Sequence, residues 1–247
     1  MLSAYLDETG HSADPNKLFV GMAGLLSSES SWAKFDLEWR AVSEKHEVIL
    51  PFHMMDLAHF GGQFENWESD GDVKRKQFLS ELIGPISGAA PILVGAIVSV
   101  EEFRQLTKDE QCALQDPYYI AFQECTFQLA FAAALLQYPP RQISMVYAAH
   151  GEFRRAEDLW EAIKKHNLVG HCMGSYSRGE PRDFTPLQAA DLWAYELGHH
   201  FYHILPKGKE FRWPLRELLK IAVRTSVGQR FFTYFDREEM LLRLGKI

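Results

Sequence analysis

Leu2-Ser3-Ala4-Tyr5-Leu6-Asp7-Glu8 stands near the start of the chain, and the rest is read outward from it. Leu2, Ala4 and Leu6 fall on one side of an extended backbone, and Ser3, Tyr5 and Asp7 on the other. This period-two alternation predicts a strand ending in two carboxylates. Gly10-His11-Ser12-Ala13-Asp14-Pro15 is turn chemistry, and from Asn16 a second strand candidate follows, Leu18 to Leu26. The two segments read as a hairpin.

Beyond the hairpin, helical and strand patterns interleave. Ser30 or Ser31 is suited to cap a helix running through Trp32, Phe35, Leu37, Trp39 and Val42. Residues 48–70 read as a loop and 72–83 as a helix. Pro91 to Val100 is β-branched and continuously apolar, the pattern of a buried strand. Asp116-Pro117 opens a helix that runs to about Gln137, where Pro139-Pro140 ends it. A strand at Ile143–Ala149, a helix over 153–166 and a short strand around Gly174–Ser177 follow. Pro186 then starts a helix through Leu187, Ala190, Leu192, Ala194 and Leu197. Strands alternating with helices predict an α/β fold, one sheet covered by helices.

At 247 residues the chain fits one domain, 1–247, and no linker or repeat divides it. A chain of this size buries roughly 70–75% of its unfolded surface and needs no staples. No apolar stretch reaches the length of a membrane span, and the first residues lack the basic leader of a signal peptide. Cys112, Cys125 and Cys172 form no C-x-x-C pair, which fits a cytoplasmic, reducing setting. The net charge of −7 argues against a protein that coats nucleic acid by bulk electrostatics. The charge is unevenly spread, however. From Pro206 to the end the chain carries +5, and the remainder −12. This helical, basic C-terminal extension, from about residue 206, suits either a solvated face or a hold on a phosphate backbone.

Three constellations could carry chemistry. Asp7 and Glu8 are adjacent, so on a strand they face opposite sides, and Asp7 is the better candidate ligand. A hard cation such as Mg²⁺ would stabilise it, although from spacing alone an acidic turn capping the hairpin is the favoured reading of the pair. Asp191 lies in the helix Pro186-Leu187-Gln188-Ala189-Ala190-Asp191-Leu192, whose alanines allow close packing on a sheet. A carboxylate in such a context marks a site candidate. Steps of four from Asp191 give Tyr195, His199 and His203, and the two histidines read as exposed or partner-facing. His53, Asp56 and His59 recur every third residue, which fits metal coordination, proton transfer or a hydrogen-bonded loop anchor. The chain holds no G-x-S-x-G elbow, P-loop or G-x-G-x-x-G.

Together these segments resemble a known family. Tyr5-Leu6-Asp7-Glu8-Thr9-Gly10 is similar to a Y-x-D-E-S-G motif, with threonine in place of serine. Phe52-His53-Met54-Met55-Asp56, with Phe64-Glu65-Asn66-Trp67 downstream, resembles an F-H-x-x-[DE] segment followed by F-x-x-W. Pro186 to Leu192 resembles an L-Q-x-A-D-L helix. These are motifs of the domain of unknown function 3800 family, in the order that family has them. The resemblance implies a ribonuclease H-like fold, with a mixed sheet, a central first strand and helices on both faces. It implies a metal-dependent nuclease or related phosphoryl-transfer enzyme using Mg²⁺ or Mn²⁺. Asp7 and Asp191 would take the first and last metal-ligand positions and Glu124 the helical one, with Glu8 and His53 in support. One departure stands out. The fourth-strand position reads Tyr147-Ala148-Ala149-His150-Gly151-Glu152, and Ala148 cannot bind a metal. His150 or Glu152 substitutes, the site holds one ion, or the chain is a catalytically degenerate interaction module. A histidine-based hydrolase around His53, Asp56 and His59 is a third reading.

Overall fold

The fold is a computed structural model that describes residues 1–10, 18–70, 72–136, 143–148, 156–167, 169–225 and 232–246. The chain runs β1 (Leu2–Thr9), β2 (Phe19–Ser28), α1 (Glu29–Lys45), α2 (Met54–His59), α3 (Val73–Ala89), β3 (Ile92–Ser99), α4 (Val100–Arg104) and α5 (Lys108–Leu114). It continues with α6 (Pro117–Leu135), β4 (Ile143–Ala148), α7 (Ala156–Lys164), β5 (Met173–Gly179), α8 (Pro186–His199), α9 (Trp213–Thr225), β6 (Thr233–Phe235) and α10 (Arg237–Arg243). Six strands form one mixed sheet in the order β5-β4-β1-β2-β3-β6. β1 pairs antiparallel with β2 and parallel with β4, so it lies inside the sheet. The fold is mixed α/β.

The alternation in β1 sorts its side chains between two cores. Leu2, Ala4 and Leu6 pack with Met22, Val94 and the apolar side of α6. Tyr5 turns to the opposite face, where α1, α3, α8 and α9 close over Leu25, Leu93 and Ile97. α6 is apolar almost all round and is buried along most of its length, as a core helix must be. Its start follows the sequence signal, with the Asp116 carboxylate accepting the Tyr118 N–H at 2.8 Å.

Several elements differ from their sequence reading. α1 is capped earlier than expected, by Ser28, whose hydroxyl accepts the Ser31 N–H at 3.1 Å. Ser30 and Ser31 lie inside the first turn. The loop region at 48–70 holds a short helix, α2, as the three-residue spacing of His53, Asp56 and His59 suggests, and also a 3₁₀ run over Gly62–Asp70. α4 and α5 went unread, although Thr107 and Glu110 form a reciprocal capping box that the sequence spells out.

The C-terminal segment is more than a helical extension. α9 buries Leu215, Leu218, Ile221 and Ala222 against one face of the sheet. β6 pairs in parallel with β3, and Phe235 and Met240 enter the other core. Its cations are therefore spread over both faces. Arg212 pairs with Glu196, Arg243 with Glu124 and Lys246 with Glu110. Among the described residues no helix is long and apolar enough to cross a membrane.

Candidate functional site

Asp7 shares the β1 face of Tyr5 and points toward α8. It is 4% exposed, and its Oδ1 accepts the Glu8 N–H at 2.8 Å. A buried carboxylate is costly unless charge or hydrogen bonds compensate it.

Across from it runs α8, whose closeness to β1 has a local cause. A Cβ at Gly198 would lie 2.0 Å from Thr9 Oγ1, so only glycine lets the helix reach the end of β1. Ala189, Ala190 and Ala194 are fully buried on the same helix, and Trp193 Nε1 donates to the Val94 carbonyl at 2.7 Å. These contacts fix the register that carries Asp191 to the mouth of a cleft.

Asp191 then ties two elements together. Its Oδ2 accepts the N–H of Met54, the first residue of α2, at 2.8 Å. His53 supplies no side-chain cap there, and its Nδ1 stands 3.8 Å from the same oxygen. Asp191 raises the His53 pKa above its ordinary value. Partial burial opposes that rise, and Asp56 and Asp7 add to it from further off.

The open cleft has a volume of about 390 Å³. Asp7, Glu8, His53, His59, Asp191, His199 and His203 are among its lining, with Tyr195 and Tyr202 beside them. Past α8 the chain makes a π-helical turn over His200–Ile204. The His199 and His203 rings lie 4.9 Å apart. Tyr202 holds this turn against β2, its hydroxyl donating to the Phe19 carbonyl at 2.6 Å. His199 has its pKa pushed down to about 4, first by burial and then by Arg212 and its neighbouring histidines. At neutral pH it is an uncharged imidazole.

The sequence candidates thus divide. Asp7, Asp191 and His53 come together. Glu8 borders the cleft, but its Oε2 accepts the hydroxyls of Tyr118 and Tyr147, the latter at 2.8 Å, on the α6 side. Burial, with Glu8 next to it, pushes the Tyr147 pKa up. Glu124 is not brought to the cleft. It projects from α6 to Gln128, Thr233 and Arg243, at 2.8, 2.9 and 3.1 Å. Glu124 thus ties α6 to β6 and α10, apart from the cleft where its expected partners Asp7 and Asp191 lie.

Of the remaining candidates, His59 lines the cleft while Asp56 is exposed and does not. The His53 and His59 cluster is therefore no separate centre, because it shares Asp7's cleft. His199 and His203, read as exposed or partner-facing, are cleft residues, and only His203 is exposed. Steps of four along α8 had already pointed to them. Ala148 is fully buried beside Val146 and Leu187, so β4 brings no acid to this level. His150 and Glu152 lie outside the described residues.

The donor set has limits as a metal site. Among the described residues, no group of three or more His, Cys, Asp or Glu is arranged to hold an ion. Asp7 and Asp191 supply hard oxygen donors, and Mg²⁺ commonly takes one or two carboxylates with waters and substrate phosphate oxygens. Two carboxylates would be enough for so sparsely ligated an ion.

No protein-family model matches the chain, and no curated protein matches it. Among solved structures it is similar to the structure of the PCNA:RNase HII complex from Archaeoglobus fulgidus. The two are 13% identical with a TM-score of 0.38, over 100% of this chain and 91% of that chain. A likeness of that degree decides neither fold nor function.

Proposed function

We propose that the cleft hydrolyses phosphodiesters with the help of a divalent cation, Mg²⁺ or Mn²⁺, held by Asp7 and Asp191. The observation that carries this reading is that a buried carboxylate from β1 and a second from α8 line one open cleft with His53. An interior β1, with helices over both faces of a mixed sheet, supports a ribonuclease H-like reading of the frame. So does the motif resemblance to the domain of unknown function 3800 family.

A divalent cation bound there would polarise a phosphoryl oxygen and make water a stronger nucleophile. The chain's own residues do the rest. Asp191 stands at the Nδ1 edge of His53 and favours its charged form, which leaves Nε2 to exchange a proton with the reacting water or the leaving oxygen. As the water oxygen bonds to phosphorus, its proton passes to His53; the bond to the leaving oxygen breaks with its electron pair on that oxygen, which then takes up the proton from His53. Neutral His199 and the Tyr195 and Tyr202 rings wall the cleft without adding charge.

Labelled RNA, DNA and hybrid duplexes incubated with Mg²⁺ or Mn²⁺ test the reading. Cleavage is expected, and Asp7→Asn or Asp191→Asn lowers its rate by more than about 100-fold, beyond the usual loss from an outer-shell partner. Absence of cleavage, or cleavage indifferent to both substitutions, overturns the proposal.

Ala148, and the lack among the described residues of a group of three His, Cys, Asp or Glu that could hold an ion, favour a second reading, a non-catalytic interaction module. Calorimetric titration separates the two, because the module takes up no divalent cation at millimolar concentration.

A further inference from the structure

Behind the carboxylate cleft lies a second cavity, of about 460 Å³. His59, Tyr195 and His199 line both, so the two are neighbours with a common wall. The second cavity is also lined by Arg75 and Lys76 from α3 and Arg212 from the segment before α9, none of which lines the first. Asp72 lies there as well, 3.3 Å from Lys76 Nζ and in contact with Arg75 Nε. Three cations thus face one lining carboxylate.

The balance is tipped further from within α8. Glu196 is 1% exposed, and neither carboxylate oxygen finds a hydrogen-bond partner. Arg212 approaches its Oε1 only to 3.6 Å, beyond hydrogen-bonding distance. Burial raises the Glu196 pKa to about 7, against the pull of Arg212 and Arg75, so much of it is uncharged near neutrality. Arg212 therefore lacks a full counter-charge. Its guanidinium is suited to grip a phosphate through two parallel hydrogen bonds.

We infer that this second cavity is a phosphate subsite, in which Arg212, Lys76 and Arg75 hold a backbone phosphate next to the one at Asp7 and Asp191. The substrate is thereby a polynucleotide strand, not an isolated phosphodiester. The inference rests on the reading of the carboxylate cleft as a phosphodiesterase, and its cause is the wall the two cavities share. Lys76 and Arg212 belong to distant parts of the sequence, so the basic C-terminal segment contributes one cation to the subsite and α3 the other two.

Two measurements separate this inference from the cleavage reaction. The first is anisotropy of a labelled single strand of about 12 nucleotides, within the usual span of such grooves, titrated in EDTA over a range of salt. Lys76→Gln with Arg212→Gln should weaken binding at least about 10-fold and lower the salt slope by roughly one to two, one for each lost phosphate contact. Glu196→Gln should strengthen it, because the glutamine keeps the shape and removes the competing charge. The second compares cleavage of the strand with hydrolysis of bis(p-nitrophenyl) phosphate, which has no neighbouring phosphate, so the Lys76/Arg212 variant should lose at least about 10-fold more of the former than of the latter. Strand binding that is absent in the wild type, or unchanged in both charge variants, overturns the subsite. An equal loss of strand cleavage and small-diester hydrolysis in the variant also counts against it. A failure of wild type to hydrolyse any diester while strand binding responds as stated overturns the enzyme reading alone. Thermal melts confirm folding, and the exposed Lys76→Gln serves alone if Arg212→Gln unfolds.

Discussion

Asp191 Oδ2 accepts the Met54 N–H and faces His53 Nδ1, so one carboxylate both joins α8 to α2 and biases the charge of the imidazole. Removing that charge while keeping the shape should release His53. In Asp191→Asn, the His53 titration followed by NMR is expected to move to lower pH than in wild type. An unmoved midpoint would show that Asp191 does not govern the ring. Glu196 titrates in the opposite sense to a surface acid. Its folded pKa, about 7, lies above the ordinary value of 4.5, so the folded state binds more protons between them. Stability from this group is full below about 4.5 and is lost as pH rises through about 7. Chemical denaturation across that window should show the decline, and Glu196→Gln should flatten it. His199 acts in the other direction. It binds its proton only near pH 4 when folded, so stability falls as pH drops from about 6.5 toward 4. His199→Gln should remove this acid-side loss.

Between elements, the decisive approach is that of α8 on β1. Gly198→Ala would drive a methyl into Thr9, and the helix must back away from the strand that carries Asp7. Overpacking of this kind costs about 1–3 kcal/mol. Thr9→Ala removes the nearest atom and leaves only the Thr9 Cβ, at 3.1 Å from the added methyl. The double variant should therefore lose less than the two single losses combined, as a denaturant-based mutant cycle would read. Additive losses would mean that Thr9 is not what Gly198 makes room for. The sequence carried part of this. Alternation in residues 2–8 located β1 and its acids, and the alanines of 189–194 marked α8 as a close-packing helix. What it could not carry was the pairing of Gly198 with Thr9, which are far apart in the chain and meet only after the sheet forms. The same holds for Glu124. Its helix was legible, but which face of the sheet that helix covers depends on tertiary packing. The turn at His200–Ile204 is π-helical, so its last residues depart from the spacing of an α-helix.

At the scale of the molecule, the same physical reason explains why residues from 206 onward read as an appendage. β6 is three residues long, too short to show alternation, and α9 carries its cations on the outer side of a strongly amphipathic helix. Charge dominated the pattern while the apolar stripe did the structural work. Leu215, Leu218, Ile221, Phe235 and Met240 are each 4% exposed or less. Burying a side chain of this size contributes about 1.5–3 kcal/mol, so the five together are worth on the order of 10 kcal/mol. That rivals the whole stability of a typical domain, about 5–15 kcal/mol. A chain ending at Leu205 would also uncover β3 along the edge that β6 now pairs with, and would expose one side of each core. It should show no cooperative unfolding transition by circular dichroism, and the open β3 edge should make it associate. A truncated chain that stayed monomeric and melted sharply would mean that the C-terminal segment is an accessory to a sheet able to stand without it. In that case Arg212 would be a detachable phosphate contact. If the truncated chain fails to fold, Arg212 is built into the core-forming segment, and its position beside Glu196 is fixed by the same packing that holds α8 against β1.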